Sequence, residues 1–186
     1  MRPRVLLVVV AAVACGGDAS RAPARPSIGN VPGPEPVASA PGSCVDPIAG
    51  TWRARVYRAE VGKLDEVTLT LARVGMTELR GQILVETWDA AGRDEEPPAC
   101  PDGAPAVGRV VQMASGWFRD RELDVVGRDP KRVAAPCDVP TEAGYNPDHF
   151  TGELDEDGRT LVTTNDDGGL DVGRPHVFTR IACQGT

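Results

Sequence analysis

From residue 44 onward, apolar and polar residues alternate in short runs separated by Gly, Pro, Asp and Asn. In residues 49–58, Trp52, Ala54 and Val56 share one face while Arg53 and Arg55 share the other. In 65–74, Val67, Leu69 and Leu71 oppose Glu66, Thr68 and Thr70; in 78–89, Leu79, Ile83 and Val85 oppose Arg80, Gln82 and Glu86. A period of two with one charged face is the mark of a half-buried antiparallel strand. Segments 107–115, 120–127, 149–154, 159–164 and 176–182 complete a set of eight predicted strands. No stretch carries a convincing helical repeat, which argues against a parallel sheet with its crossover helices. Asp157-Gly158, between Leu154 and Leu161, is a hairpin signal. Ala91-Gly92 follows the third strand, and Asn165-Asp166-Asp167-Gly168-Gly169 opens the last long loop. The proline- and acid-rich stretch 93–106 and the irregular stretch 128–148 are expected to be long loops. The expected fold is all-β, an eight-stranded antiparallel up-and-down barrel, with a β-sandwich as the alternative because alternation and loop spacing suit both.

The chain before residue 44 has a different character. Residues 16–43 hold Pro23, Pro26, Pro32, Pro34, Pro36 and Pro41 and almost no large apolar side chain. Such a segment cannot bury enough surface to offset its ordering entropy, so residues 15–43 are expected to be a disordered spacer. Upstream, Arg2 and Arg4 precede an apolar run from Val5 to Val13, followed by Ala14 and Cys15. The run is shorter than the ~20 residues a bilayer-spanning helix needs; residues 1–14 have the layout of an export signal peptide. A cysteine directly after the small residues Ala12-Val13-Ala14 resembles the bacterial lipoprotein signal. That resemblance implies lipidation of Cys15 and a membrane partner reached through a lipid anchor (palmitate among its chains). Gly16 at the next position implies the outer membrane of the cell envelope.

With Cys15 lipidated, Cys44, Cys100, Cys137 and Cys183 remain, an even number in an exported chain. Three pairings exist. Cys44 precedes the first predicted strand and Cys183 follows the last, and in a closed antiparallel barrel those strands are neighbours. The favoured pairing is therefore Cys44–Cys183 with Cys100–Cys137, the second bridge stapling the two long loops. No pair has the close spacing of a zinc site, and no metal or cofactor is expected.

Gly50-Thr51-Trp52 on the first strand resembles the Gly-x-Trp motif of lipocalins, and Arg180 on the last strand stands where that fold sets an arginine against the tryptophan ring. The resemblance extends over residues 44–186 and implies a barrel closed at one end by a Trp52–Arg180 plug. A Thr-Asp-Tyr motif and the helix that usually follows a lipocalin barrel are absent from the sequence, so the likeness is to the architecture.

Charge and chemistry narrow the function. The chain carries 27 Asp and Glu against 20 Lys and Arg; removing residues 1–14 takes away Arg2 and Arg4 and moves the net charge from −7 to −9. The cations are dispersed, which argues against nucleic-acid binding. No nucleophile elbow, metal-protease helix or phosphate loop is present, His149 and His176 read as surface or edge residues, and Asp155, Asp157, Asn165, Asp166 and Asp167 read as turn residues in preference to a calcium site. An enzyme is the least supported class. Two readings remain: a barrel whose mouth, rimmed by Trp88, Trp117 and Phe118, binds a small apolar ligand; or a solid barrel whose stapled loops dock on an envelope protein or act as an inhibitor.

Overall fold

The computed structural model describes residues 44–134, 137, 144–169 and 172–184. Residues 1–43, with the expected signal peptide, Cys15 and the expected spacer, lie outside these residues. Eight strands run in chain order: β1 (Gly50–Arg58), β2 (Lys63–Arg73), β3 (Glu78–Asp89), β4 (Gly108–Arg119), β5 (Glu122–Val133), β6 (His149–Leu154), β7 (Thr160–Asn165) and β8 (Arg174–Cys183). Each pairs antiparallel with the next, and β1 pairs with β8, closing the barrel. Closure excludes the sandwich, since a sandwich leaves sheet edges that this ring does not have.

Closure needs a sharply coiled seam between β1 and β8. Gly50 supplies it: its φ of +145° lies in a region that favours glycine, and a Cβ there would come within 2.4 Å of the Ala182 carbonyl oxygen. A register shift between Thr51 and Trp52 adds a bulge at the same place.

Two strands run further than their sequence pattern suggests. β4 continues through Ser115-Gly116-Trp117-Phe118-Arg119, and β5 continues through Arg128–Val133 despite Pro130. The ladder skips from Met113↔Arg128 to Val111↔Lys131, so Asp129 and Pro130 form a bulge opposite Gln112. Asp129 has a φ of 51°. Bulged positions tolerate proline because no ladder donor is required of them. The β4–β5 turn consists of Asp120 and Arg121, both at positive φ (52° and 73°). Positive φ at both central residues is the tight hairpin geometry that matches strand twist. Arg121 is held there because its backbone carbonyl accepts from Leu154 N at 2.9 Å and its Nε donates to Leu154 O at 3.0 Å.

The connections segregate. The short turns β2–β3, β4–β5 and β6–β7 lie at one end, the base, with Cys44 and Cys183. The β1–β2 turn and the longer β3–β4, β5–β6 and β7–β8 connections lie at the other. Inward side chains from every strand fill the space between, with Trp52, Phe150, Phe178, Leu69, Leu79, Ile83, Leu123 and Leu161 essentially without solvent exposure.

The disulfides are Cys44–Cys183 and Cys100–Cys137. The first spans 139 residues and ties the two ends of the ring across a Cα separation of 5.5 Å. The second spans 37 residues and joins the β3–β4 and β5–β6 connections. Chain-entropy arguments give the outer bridge about 5 kcal/mol and the inner about 4. A Cys44→Ala/Cys183→Ala variant should therefore melt below a Cys100→Ala/Cys137→Ala variant, and the latter should keep the parent far-UV circular dichroism. Equal melting temperatures would show that the outer bridge contributes no more than the inner one.

Candidate functional site

The parity of each strand decides what enters the lumen. On β1 the even positions point inward, from Trp52 and Ala54 to Arg58. On β2 and β3 the odd positions do, bringing in Asp65 and Thr87 beyond Val67 and Val85. Phase holds along the whole strand, so the inward row is apolar near the base and polar at the loop end. Gln112 on β4, Asn165 on β7 and His176 on β8 obey the same rule. The barrel is thus divided into an apolar lower half and a polar upper half.

Two buried polar groups line the upper half. On the β1–β3 arc, Arg58 Nε lies 2.6 Å from Asp65 Oδ2, its Nη2 donates to Asp65 Oδ1 at 3.1 Å, and Thr87 Oγ1 donates to the same oxygen at 2.6 Å. On the β4–β7 arc, Asp148 is the centre. Its Oδ2 accepts from Gln112 Nε2 and from Tyr145 Oη at 2.9 Å; its Oδ1 accepts from Asn165 Nδ2 at 2.8 Å. Its own N–H donates to Gln112 Oε1 at 3.0 Å, and its carbonyl accepts from Gly127 N at 2.7 Å. Gly127 makes room for this: a Cβ there would meet Gln112 Oε1 at 2.2 Å. One residue therefore links three strands: its carboxylate joins β4 to β7 and holds Tyr145 of the preceding connection, and its backbone carbonyl holds β5. His176 is buried on β8, its ring edge-on to Phe150 at 5.2 Å and its Nδ1 3.1 Å from Arg174 O. Arg174 pairs with Glu60 across the β1–β2 turn. His176 is therefore a lumen residue and not the surface or edge residue its isolation in the sequence suggests. His149 faces outward, 3.4 Å from Asp124.

Burial pushes the Asp148 carboxyl up to about 6, against the opposing effect of its bonds from Gln112, Tyr145 and Asn165; the charge of Asp167 adds to the upward push.

The base is built from the segment that leads into β1. Asp46 Oδ1 caps the turn by accepting from Ile48 N at 2.9 Å and Ala49 N at 3.2 Å. Ile48 is fully buried and its carbonyl accepts from Trp52 Nε1 at 2.9 Å. The Arg180 guanidinium carbon lies 4.3 Å from the Trp52 ring centroid, and its nitrogens donate to the carbonyls of Pro47 and Asp46. Its Nε is buried with no hydrogen-bond acceptor among the described residues, which leaves the ring face to stabilise that part of the charge. Burial lowers the Arg180 pKa, opposed by the charges of Asp46 and Asp155.

The aromatic residues expected to rim one mouth are not brought together. Trp88 points outward at the loop end. There the β3–β4 connection folds over it, Glu95 O accepts from its Nε1 at 3.2 Å, and Leu64, Ala90 and Val107 pack around it. Phe118 points inward at the base, inside the main core. Trp117 points outward at the base, 38% exposed. The reason is directional: β3 and β4 are antiparallel, so the end of one lies opposite the start of the other, as Glu78↔Trp117 shows. The Asp155 and Asp157 carboxylates accept from Arg159 N, and Asp155 also from Thr160 N, which is ordinary hairpin bonding. Among the described residues no three His, Cys, Asp or Glu groups gather as metal ligands.

The sequence matches no protein-family model, no curated protein and no solved structure.

Two expectations test this account. Replacing Arg180 by Ala should cost about 2–4 kcal/mol in urea unfolding, the sum of a desolvated cation–π contact and its hydrogen bonds. Arg180→Lys should fall between, since a point charge cannot reproduce the planar contact. For Asp148 the folded state holds its proton more tightly than the unfolded chain, so stability falls as pH rises from about 4 through about 6. The effect is about 3 kcal/mol at neutral pH. The lowered carboxyls of Asp46 and Asp155 act oppositely and only at lower pH. The parent should thus melt higher at pH 5 than at pH 7, and Asp148→Asn should flatten that difference; a parent with no gain at pH 5 would contradict the assignment.

Proposed function

We propose that the chain is a lipid-anchored protein of the bacterial envelope whose barrel is a non-catalytic docking module for a protein partner. What supports this reading is the set of large buried side chains that point into the lumen. Trp52, Phe118 and Phe178 take up the lower half, and Phe150, opposite Asn165, lies with the hydrogen-bonded groups around Asp65 and Asp148 in the upper half. The first alternative, carriage of a small apolar ligand, needs an empty apolar cavity, which neither half favours.

The surface offered to a partner is the loop end. The β3–β4 connection is ordered by its own contacts: Cys100 N donates to Ala104 O at 2.7 Å, Ala106 N to Pro98 O at 2.7 Å, and Arg55 on the outer wall of β1 pairs with Glu96 at 2.9 Å. The Cys100–Cys137 bridge then fixes it to the β5–β6 connection. Loops fixed before binding lose less entropy on docking. Two disulfides suit an oxidising compartment outside the cytoplasm, and Cys15 as the lipidated residue would tether the domain through its base, leaving the loops directed away from the membrane. The lipocalin likeness is retained as architectural, resting on Gly50, Trp52 and Arg180.

Fractionation and ligand tests check the two halves of this proposal. The parent should partition with outer-membrane fractions and Cys15→Ser with the soluble fraction. A lipophilic dye should show no saturable binding to the folded protein. A photo-crosslinking residue at Asp102 on the β3–β4 connection should yield a discrete protein adduct in cells that the same residue at Val162 on the outer wall of β7 does not. Saturable dye binding, or no adduct from the loop site, would overturn the docking reading.

A further inference from the structure

The base rim carries an apolar group that the plug does not use. Val45 is 94% exposed, Met76 92% and Val74 51%. Arg73 holds these residues together. It pairs with Asp46 at 2.6 Å, next to Val45, and its Nη1 donates to Met76 O at 2.8 Å. Phe118 N donates to Thr77 O at 2.8 Å, which sets Trp117 beside the same turn. Thr77, Trp117 and Arg119 line a concavity of about 260 Å³. Exposed Val and Met side chains on a tight turn, with a half-exposed tryptophan behind them, form the pattern of an apolar wedge backed by an interfacial aromatic.

We infer that this rim, Val45, Val74, Met76 and Trp117, seats on the lipid surface to which the chain is tethered. The inference rests on Cys15 being the attachment point. Its further support is where the chain leaves the domain: Cys44 is adjacent to Val45, so the spacer ends inside the patch itself. A random coil of 28 residues spans roughly 30 Å, so a tether of that length would keep the patch near the bilayer at high effective concentration, and weak insertion suffices. The charges around it are paired, Glu78 with Arg80 and Arg119 with Asp120. The acidic β6–β7 turn, Asp155-Glu156-Asp157, belongs to the opposite side of the ring. Seating is therefore driven by apolar insertion, tilts the β2–β3 side toward the lipid, and is insensitive to salt.

The test uses the chain from Cys15 onward, coupled through the Cys15 thiol to a maleimide lipid in phosphatidylcholine vesicles; the other four cysteines are in disulfides. Trp52 and Trp88 are buried, so quenching by brominated acyl chains reports Trp117, with Trp117→Phe as the blank. At least a twofold fall in Trp117 emission is expected, unchanged in high salt. A Val45→Asp/Met76→Asp variant with the parent's circular dichroism and melting should lose the quenching. Trp117 emission equal in brominated and plain vesicles overturns the inference, as does concentration-dependent crosslinking between Met76 sites of two copies in place of quenching. Coupling at Cys15 is chemical, so this outcome is separate from whether cells acylate that residue, which the Cys15→Ser fractionation reads.

Discussion

The closing of β8 onto β1 is the constraint on which the remaining architecture depends. An open eight-stranded sheet would expose two edges and give its inward row no common interior. The seam is short, pairing Gly50–Arg53 with Thr179–Cys183, and it is held by three unlike interactions within a few residues. Gly50 allows the backbones to approach, Arg180 lies against Trp52 while binding the carbonyls of the leading segment, and Cys44–Cys183 makes the join covalent. Once the ring is shut, strand parity alone sorts every side chain into lumen or wall.

That sorting explains how much could be read from the sequence. The strand count, the antiparallel order and the turn at Asp157-Gly158 follow from period-two alternation, which is local. Gly50, Trp52 and Arg180 were legible through the Gly-x-Trp resemblance, which sets an arginine of the last strand against the tryptophan ring. The polar upper lumen was also encoded, in the same parity: Arg58 is in phase with Trp52, Asp65 with Leu71, Gln112 with Ala114 and His176 with Phe178. A charged residue in phase with a core row reads locally as the end of a strand, and only closure, a non-local property, reveals that it lies inside. The extension of β5 past Pro130 was hidden for a related reason. Proline interrupts a ladder, unless a bulge on the partner register removes the need for its donor, and a bulge depends on two strands at once. The Trp88, Trp117 and Phe118 grouping failed because hydrophobic size was read without strand direction.

The division of the lumen separates two tasks. The apolar lower half supplies the burial that stabilises a small domain. The upper half gives up some of that burial to place Asp148 among neutral donors, at a cost that burial of a carboxylate always carries. What it gains is position: one side chain fixes Gln112, Asn165 and Tyr145 from three separate parts of the chain. The loops above therefore rest on a hydrogen-bonded floor with directional geometry, where a greasy interior would let neighbouring side chains slide.

The Cys44–Cys183 bridge has a mechanical consequence. Tension drawn along the N-terminal segment reaches the domain at Cys44 and is shared at once between the first and last strands. A load applied between that point and the opposite end runs parallel to the strands, so ladder hydrogen bonds on both sides of the seam resist in shear together and are not peeled one by one. A domain built this way can be pulled at Cys44 without unravelling from its first strand.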